Sequence, residues 1–141
     1  MHEESIVQLS CFMENKPGRL LDICRTLGDA GINIRGFSVA DMAEYGIFRV
    51  IVTDPPAAKK VLTAHGFTVN ESDVLCLDVP DEPGGLAHML QIFSDNGISV
   101  EYMYVTAYTK IVFSFEDLDR VIPVIKKNDI HLLTQDDIGQ L

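Results

Sequence analysis

Two short segments of the chain carry the same special residues directly before a helix-forming stretch. The first reads N-K-P-G at residues 15–18, and the second reads D-E-P-G at residues 81–84. The N–H groups of a first helical turn point outward with the positive end of the helix dipole, so each segment predicts a site for a carboxylate. Asn15 offers donors and an acceptor to an α-amino acid, and Asp81 can accept hydrogen bonds from an ammonium group.

These segments belong to an internal repeat. N-K-P-G-R-L…A-G-I-N-I at residues 15–34 and D-E-P-G-G-L…N-G-I-S-V at residues 81–100 match at a constant offset of 66. A self-match at one fixed period indicates two copies of one supersecondary unit. We therefore divide the 141 residues into two modules, 1–71 and 72–141.

Each copy predicts the element order β-α-β-β-α-β from its apolar periodicity and its Gly, Pro and Asp boundaries. The predicted strands are 6–13, 32–40, 47–53 and 67–70, then 74–79, 98–106, 111–115 and 130–134. The predicted helices are 17–30, 55–65 with Asp54 as its cap, 83–96 and 116–128. Pro17 and Pro83 are predicted as first helical residues, and Pro123 is expected to kink the last helix. This order predicts an α+β fold of two ferredoxin-like units, each an antiparallel sheet with helices on one face.

Two further segments are predicted to be irregular. Residues 70–73 form the only break between the copies, and residues 136–141 are polar and are expected to fray. The turn between the middle strands of copy one is placed at residues 41–46.

Composition limits the function. The net charge is −10, with 4 basic and 13 acidic residues in positions 71–141, which disfavours nucleic acid as a partner. No apolar run approaches the roughly 20 residues of a membrane helix. Three cysteines without a C-x-x-C pair favour a reduced, cytoplasmic protein. The four histidines lack metal-ligand spacing and no nucleotide or catalytic motif occurs, so we expect no metal, no cofactor and no enzymatic activity.

The structural alternative for the two polar segments is simple. Asn and Asp before a helix are most often caps, and for a single copy the cap would be the better interpretation. Because both copies also carry Pro-Gly at the same place, we favour a ligand-binding role for the segments.

Together, N-K-P-G-R-L and A-G-I-N-I resemble the signature of the ACT domain, the small-molecule-binding regulatory module of amino-acid metabolism. The stretches S-V-A-D-M-A-E-Y-G-I-F-R and V-P-D-E-P-G-G-L-A resemble stand-alone two-ACT proteins without a catalytic domain. Some proteins of that type are associated with phenylacetate–coenzyme A ligase.

The resemblance implies that an amino acid binds where the helix-start loop of one ACT unit meets the second strand of a paired unit. Asn15 and Asn33 match the asparagines of serine-binding ACT domains, although the histidine often found two residues before the first of them is Met13 here. The implied ligand-binding residues are Asn15, Gly18, Arg19, Leu20, Asn33 and Ile34 in copy one, and Asp81, Gly84, Gly85, Leu86, Ser99 and Val100 in copy two.

The sequence therefore predicts a non-catalytic regulatory protein that senses a free amino acid at ACT–ACT interfaces and signals to a partner. We expect a homodimer and an enzyme partner from amino-acid or aryl-acid metabolism. One alternative is a structural interaction module that acts through its sheet edges. Another is a small acyl phosphate hydrolase that uses Arg19 to hold an anion.

Overall fold

The structure is a computed structural model that describes residues 3–41 and 44–141. Its strands are β1 (Ile6–Glu14), β2 (Ile34–Asp41), β3 (Tyr45–Val52), β4 (Thr68–Asp78), β5 (Tyr102–Ala107), β6 (Lys110–Ser114) and β7 (Leu132–Leu133). Its helices are α1 (Arg19–Asp29), α2 (Pro55–Ala64), α3 (Gly85–Asp95), α4 (Leu118–Lys127) and α5 (Gln135–Gly139). The predicted turn at 41–46 includes residues 42 and 43, which lie outside the described residues.

The chain forms two compact units. The N-terminal unit comprises Val7–Ser72 and Ile138–Leu141, and the C-terminal unit comprises Asp73–Asp137 with residues 3–6. The sequence division at 71/72 differs from this only by one residue and by the two chain ends. Each end is tied to its unit by a polar contact, Glu4 by the Lys126 ammonium (2.6 Å) and the Gly139 carbonyl by the Arg35 guanidinium (3.0 Å).

In the N-terminal unit, β3 lies between β2 and β1 and is antiparallel to both. Strand β4 is the next neighbour of β1. Helices α1 and α2 cover one face of this sheet, because their apolar stripes bury Ile23, Leu27 and Leu62 among strand residues. The core is formed by Leu9, Cys11, Ile23, Leu27, Ile32, Phe48, Val50, Val52, Ala58 and Leu62.

The C-terminal unit repeats this plan. Strand β6 is antiparallel to β5 and β4, and β4 also pairs with β7. Helices α3 and α4 pack on one face, where Phe93 of α3 contacts the rings of Phe113 (5.8 Å between centroids) and Phe115 (5.1 Å). The predicted α+β fold of two ferredoxin-like units is thereby confirmed.

Four predicted segments differ from the structure. The strand predicted over 98–106 begins only at Tyr102, as β5. Residues 70–73 are not a break, because they belong to the continuous strand β4, where the Ser72 hydroxyl accepts a hydrogen bond from Gln8 (3.2 Å). The tail expected to fray instead forms α5, since Ile138 is fully buried and Thr134 and Asp137 bond reciprocally at its start. The last predicted strand, 130–134, is reduced to the two residues of β7.

Candidate functional site

The two Pro-Gly loops, residues 15–18 and 81–84, share one backbone conformation. Gly18 has φ +86° and ψ −7°, and Gly84 has φ +84° and ψ −2°. The N–H of Arg19 donates to the carbonyl of Lys16 (3.3 Å), and the N–H of Gly85 donates to the carbonyl of Glu82 (3.0 Å). A proline followed by a left-handed residue with this hydrogen bond is a type II turn.

This geometry corrects one sequence prediction. The helices begin at Arg19 and Gly85, after the turns, so the prolines are not first helical residues. Each glycine is required by its left-handed φ. The repeated Pro-Gly pair therefore has a conformational explanation, and any selectivity for a ligand comes from the side chains around it.

The cap interpretation of Asn15 and Asp81 also fails, because neither α1 nor α3 has a side-chain cap. Asn15 instead donates from Nδ2 to Oδ1 of Asp41 at the end of β2 (2.8 Å). Gly46 makes room for this contact, since a Cβ atom there would lie 3.2 Å from the Asn15 side-chain oxygen. Asp41 was not among the predicted site residues, because only the parallel course of β1 and β2 brings it beside Asn15.

Both signs of charge surround the first Pro-Gly loop. Lys16 forms an ion pair with Glu14 (2.7 Å), and Arg19 lies 3.8 Å from Glu14 and 4.0 Å from Asp22. The hydrogen bond from Lys16 lowers the pKa of the Glu14 carboxyl, and the nearby charges of Lys16 and Arg19 act in the same direction. A groove of 420 Å³ runs past Asn15, Lys16 and Arg19, and its apolar wall is formed by Met13, Leu20, Val39 and Ala40.

The second Pro-Gly loop has different neighbours. Position 85 is a buried glycine, because a Cβ atom there would overlap the carbonyl oxygen of Pro80. Asp81 and Glu82 are exposed carboxylates, so the basic pair of the first loop has no counterpart. Asp81 lines a cavity of 490 Å³ that lies entirely within the C-terminal unit.

Within each unit, the loop residues and the residues predicted for the start of the second strand lie at opposite ends of the sheet. Met13 pairs with Gly46, whereas Ile34 pairs with Val52, and these β3 positions are about 20 Å apart. The backbone of Asn33 exchanges hydrogen bonds with Thr53 at that far end, and its side chain is exposed. Asn15 and Asn33 of one unit therefore do not come together.

The corresponding residues of the C-terminal unit are separated in the same way. The Val79 N–H bonds the Thr109 carbonyl beside the loop, while Glu101, just after Val100, bonds Ser114 at the other end of β6. Ser99 is exposed there. Ile34 and Val100 pack against their cores, as does Leu86, whereas Leu20 is 38% exposed.

The thiols do not line the groove beside the first loop or the cavity beside the second. Burial raises the pKa of the Cys11 thiol to about 12 and that of Cys76 to about 11. Burial also raises the pKa of Cys24, which is half-buried on α1.

No group of three or more His, Cys, Asp or Glu side chains within residues 3–41 and 44–141 is arranged to hold a metal ion. None of the described helices has the length and hydropathy to cross a membrane.

Comparison with known proteins identifies a family and solved structures with this architecture. The family model described as "ACT domain pair" matches residues 4–141. The crystal structure of protein BT0572 from Bacteroides thetaiotaomicron is 37% identical, covers 98% of each chain and superposes with a TM-score of 0.92. The ligand-free regulatory subunit of aspartate kinase from Thermus thermophilus is 13% identical, with coverage of 89% and 95% and a TM-score of 0.62, so it shares the fold.

A search of curated proteins gives no match. The family match covers nearly the whole chain, including both Pro-Gly loops, and agrees with the two ferredoxin-like units. The chain belongs to the family of ACT domain pairs.

Proposed function

We propose that this protein is a non-catalytic regulatory protein, cytoplasmic in location, that binds a free amino acid at the first Pro-Gly loop. The observation that carries the proposal is the arrangement of charge in the 420 Å³ groove. Cationic, anionic and apolar groups line that groove, and they match in kind the carboxylate, the ammonium group and the side chain of an amino acid.

The α-carboxylate would be held at the start of α1. Lys16 and Arg19 line the groove, and the positive end of the helix dipole adds to their charge. Both cations already contact the exposed Glu14 carboxylate, so a ligand carboxylate would compete with Glu14 for them.

The ammonium group and the side chain of the ligand would lie toward the end of β2. Asp41 supplies a carboxylate there. The Nδ2 group of Asn15 donates a hydrogen bond to Asp41, and the amide oxygen of Asn15 is the acceptor on the same side chain. Val39 is 49% exposed beside these groups and offers an apolar surface.

A second copy of the chain would complete the site with its own Asn33 and Ile34, at the start of β2. The exposed apolar side chains of β2 support such pairing, because Phe37 is 58% and Val39 is 49% exposed on this outer strand. Ligand bound between copies would favour one packing, with a coupling of about 1–3 kcal/mol available to regulate an enzyme of amino-acid or aryl-acid metabolism.

The test is a thermal-shift screen of the purified protein against the twenty amino acids and several aryl acids. We expect one ligand class to stabilise the protein, and we expect Asn15→Ala to abolish that shift. Asn70→Ala is the matched control, because Asn70 is an exposed asparagine on β4, and it should retain the full shift. Unchanged stabilisation of Asn15→Ala would refute the assignment of the site.

A second candidate function is an interaction module without a ligand. It is favoured by exposed apolar residues on the outer strands of both units, since Met103 and Val105 of β5 are 40% and 55% exposed at positions matching Phe37 and Val39. This candidate predicts a dimer whose dissociation constant is the same with and without amino acids, which sedimentation equilibrium would measure. The acyl phosphate alternative gains no support from the repeat, because Gly85 stands at the position of Arg19 in the second loop.

A further inference from the structure

The cavity of 490 Å³ in the C-terminal unit is distinct from the groove proposed for amino acids. Its walls are the end of β4 with the second Pro-Gly loop, one face of α3, the turn between β5 and β6, and the loop after α4. Its volume is within the range of cavities that bind small molecules.

The lining of this cavity has one sign of charge. None of its twelve residues is Lys or Arg, whereas Asp78, Asp81 and Asp129 contribute carboxylates and His88 and His131 contribute imidazoles. Its floor is apolar, with Val79 and Met89 buried in the core. We propose that this cavity binds a primary amine that carries an alkyl or aryl group and has no carboxylate.

The two carboxylates available to an amine are Asp81 and Asp129. Asp78 is already engaged, because it accepts a hydrogen bond from the Thr109 hydroxyl (2.7 Å) and lies 3.8 Å from the Lys110 ammonium. Within the described part of the chain, neither Asp81 nor Asp129 forms an ion pair. An ammonium group can therefore reach them without displacing a protein cation.

The walls of the cavity are held in place before any ligand binds. Asp129 has φ +54°, and its N–H donates to the Lys126 carbonyl (3.2 Å), while the N–H of Ile130 donates to the Ile125 carbonyl (3.1 Å). On the opposite side, Gly85 fixes the loop by packing directly on the Pro80 carbonyl. A preformed cavity lowers the entropic cost of binding.

A groove in the N-terminal unit can be compared with this cavity in the charge of its lining. This groove, between α1 and the segment after α2, also measures 490 Å³, but Arg19 and Arg25 line it together with Asp22 and Asp29. That groove is balanced in charge and offers no preference for an amine. The selectivity we propose is thus specific to the C-terminal unit, and it is independent of the amino-acid site.

Isothermal titration of the full chain tests the proposal with four small probes. Phenethylamine and putrescine supply the amine, while 3-phenylpropionate and phenethyl alcohol replace it by a carboxylate and a hydroxyl. The variants are Asp81→Asn and Asp129→Asn, both at exposed positions, with His88→Ala as a further variant on α3. Asp136→Asn is the matched control, an exposed aspartate of the same unit that does not line the cavity.

We expect at least one amine to bind and both non-amines to fail. Each cavity Asp→Asn variant should weaken amine binding about tenfold, the usual effect of losing one charge-assisted contact. Asp136→Asn should leave it unchanged. The proposal would be overturned if no amine bound or if 3-phenylpropionate bound equally well. It would also be overturned if Asp136→Asn weakened amine binding equally, because the amine would then be attracted to the acidic surface in general. Amino-acid binding at the first loop should be the same in all four variants, so failure of either site can be told from failure of the other.

Discussion

The two Pro-Gly loops have the same backbone and different chemistry. Both are type II turns that begin a helix with a left-handed glycine. In the first, Lys16 and Arg19 place cations beside Asn15, whereas in the second Glu82 and Gly85 occupy the matching positions beside Asp81. The repeat thus preserves the turn and leaves the ligand chemistry free to diverge.

The largest expected effect is at position 85. A methyl group there overlaps the Pro80 carbonyl oxygen, so Gly85→Ala should lower the free energy of unfolding by about 3 kcal/mol, as other overpacked sites do. Arg19→Ala, at the matching position of the first loop, should change stability far less, because Arg19 is exposed to solvent on one side. Urea denaturation of both variants provides the measurement, and equal losses would contradict the difference between the loops.

A smaller and equal effect is expected at the turn glycines. Gly18→Ala and Gly84→Ala should each cost about 1 kcal/mol, because an L-residue is strained at these φ values although space is open around both glycines. Gly28→Ala is the control within α1, where the φ is ordinary and alanine should stabilise by about 0.5 kcal/mol. Unequal losses at Gly18 and Gly84 in urea denaturation would show that the two turns are not equivalent.

Next comes a contact that only the first loop makes. Asp41→Ala removes the hydrogen bond with Asn15 and should cost about 0.5 kcal/mol, whereas Asp41→Asn retains an acceptor oxygen and should restore most of it. The matching residue in the C-terminal unit is Ala107, so no such bond supports the second loop. Chemical denaturation of the two Asp41 variants would sharpen the comparison, and identical stabilities would argue that the contact contributes nothing.

The smallest expected effect is a difference in the rate of thiol alkylation, which can be measured for each unit separately. At pH 8, Cys24 of the N-terminal unit should react with iodoacetamide faster than Cys11 or Cys76, because burial raises the pKa of those two thiols to about 12 and 11. Their reaction should accelerate as the pH rises, since only the thiolate is nucleophilic. Mass spectrometry of the labelled peptides would measure this, and rapid labelling of Cys76 would contradict its burial.

Much of the fold follows from local sequence. The apolar stripe of α1, together with Pro-Gly before it and Gly31 after it, predicts that helix to within two residues at its start and one at its end. Residues 70–73 mislead because Asn, Glu, Ser and Asp are typical of turns, while a neighbouring strand keeps them extended in β4. Ile138 is the one apolar residue among the five of α5, which is too weak a pattern to predict this helix.

The residues of the site are harder to predict from the sequence than the fold. The loops were identified by the repeat, but Asp41 and Val39 come beside Asn15 only through strand pairing. The cavity of the C-terminal unit draws its lining from four separate segments, and of its residues the sequence pattern indicates only Asp81. Spatial convergence of distant residues carries no periodic signal along the chain.

The stoichiometry of amino-acid binding shows whether the first Pro-Gly loop alone holds the ligand. Isothermal titration with the amino acid found in the thermal-shift screen should give one site per chain in the wild type and in Asp81→Asn, and no binding in Asn15→Ala. That result would establish that the first Pro-Gly loop binds the ligand and the second does not. Two equivalent sites per chain, or loss of binding in Asp81→Asn with retention in Asn15→Ala, would contradict it.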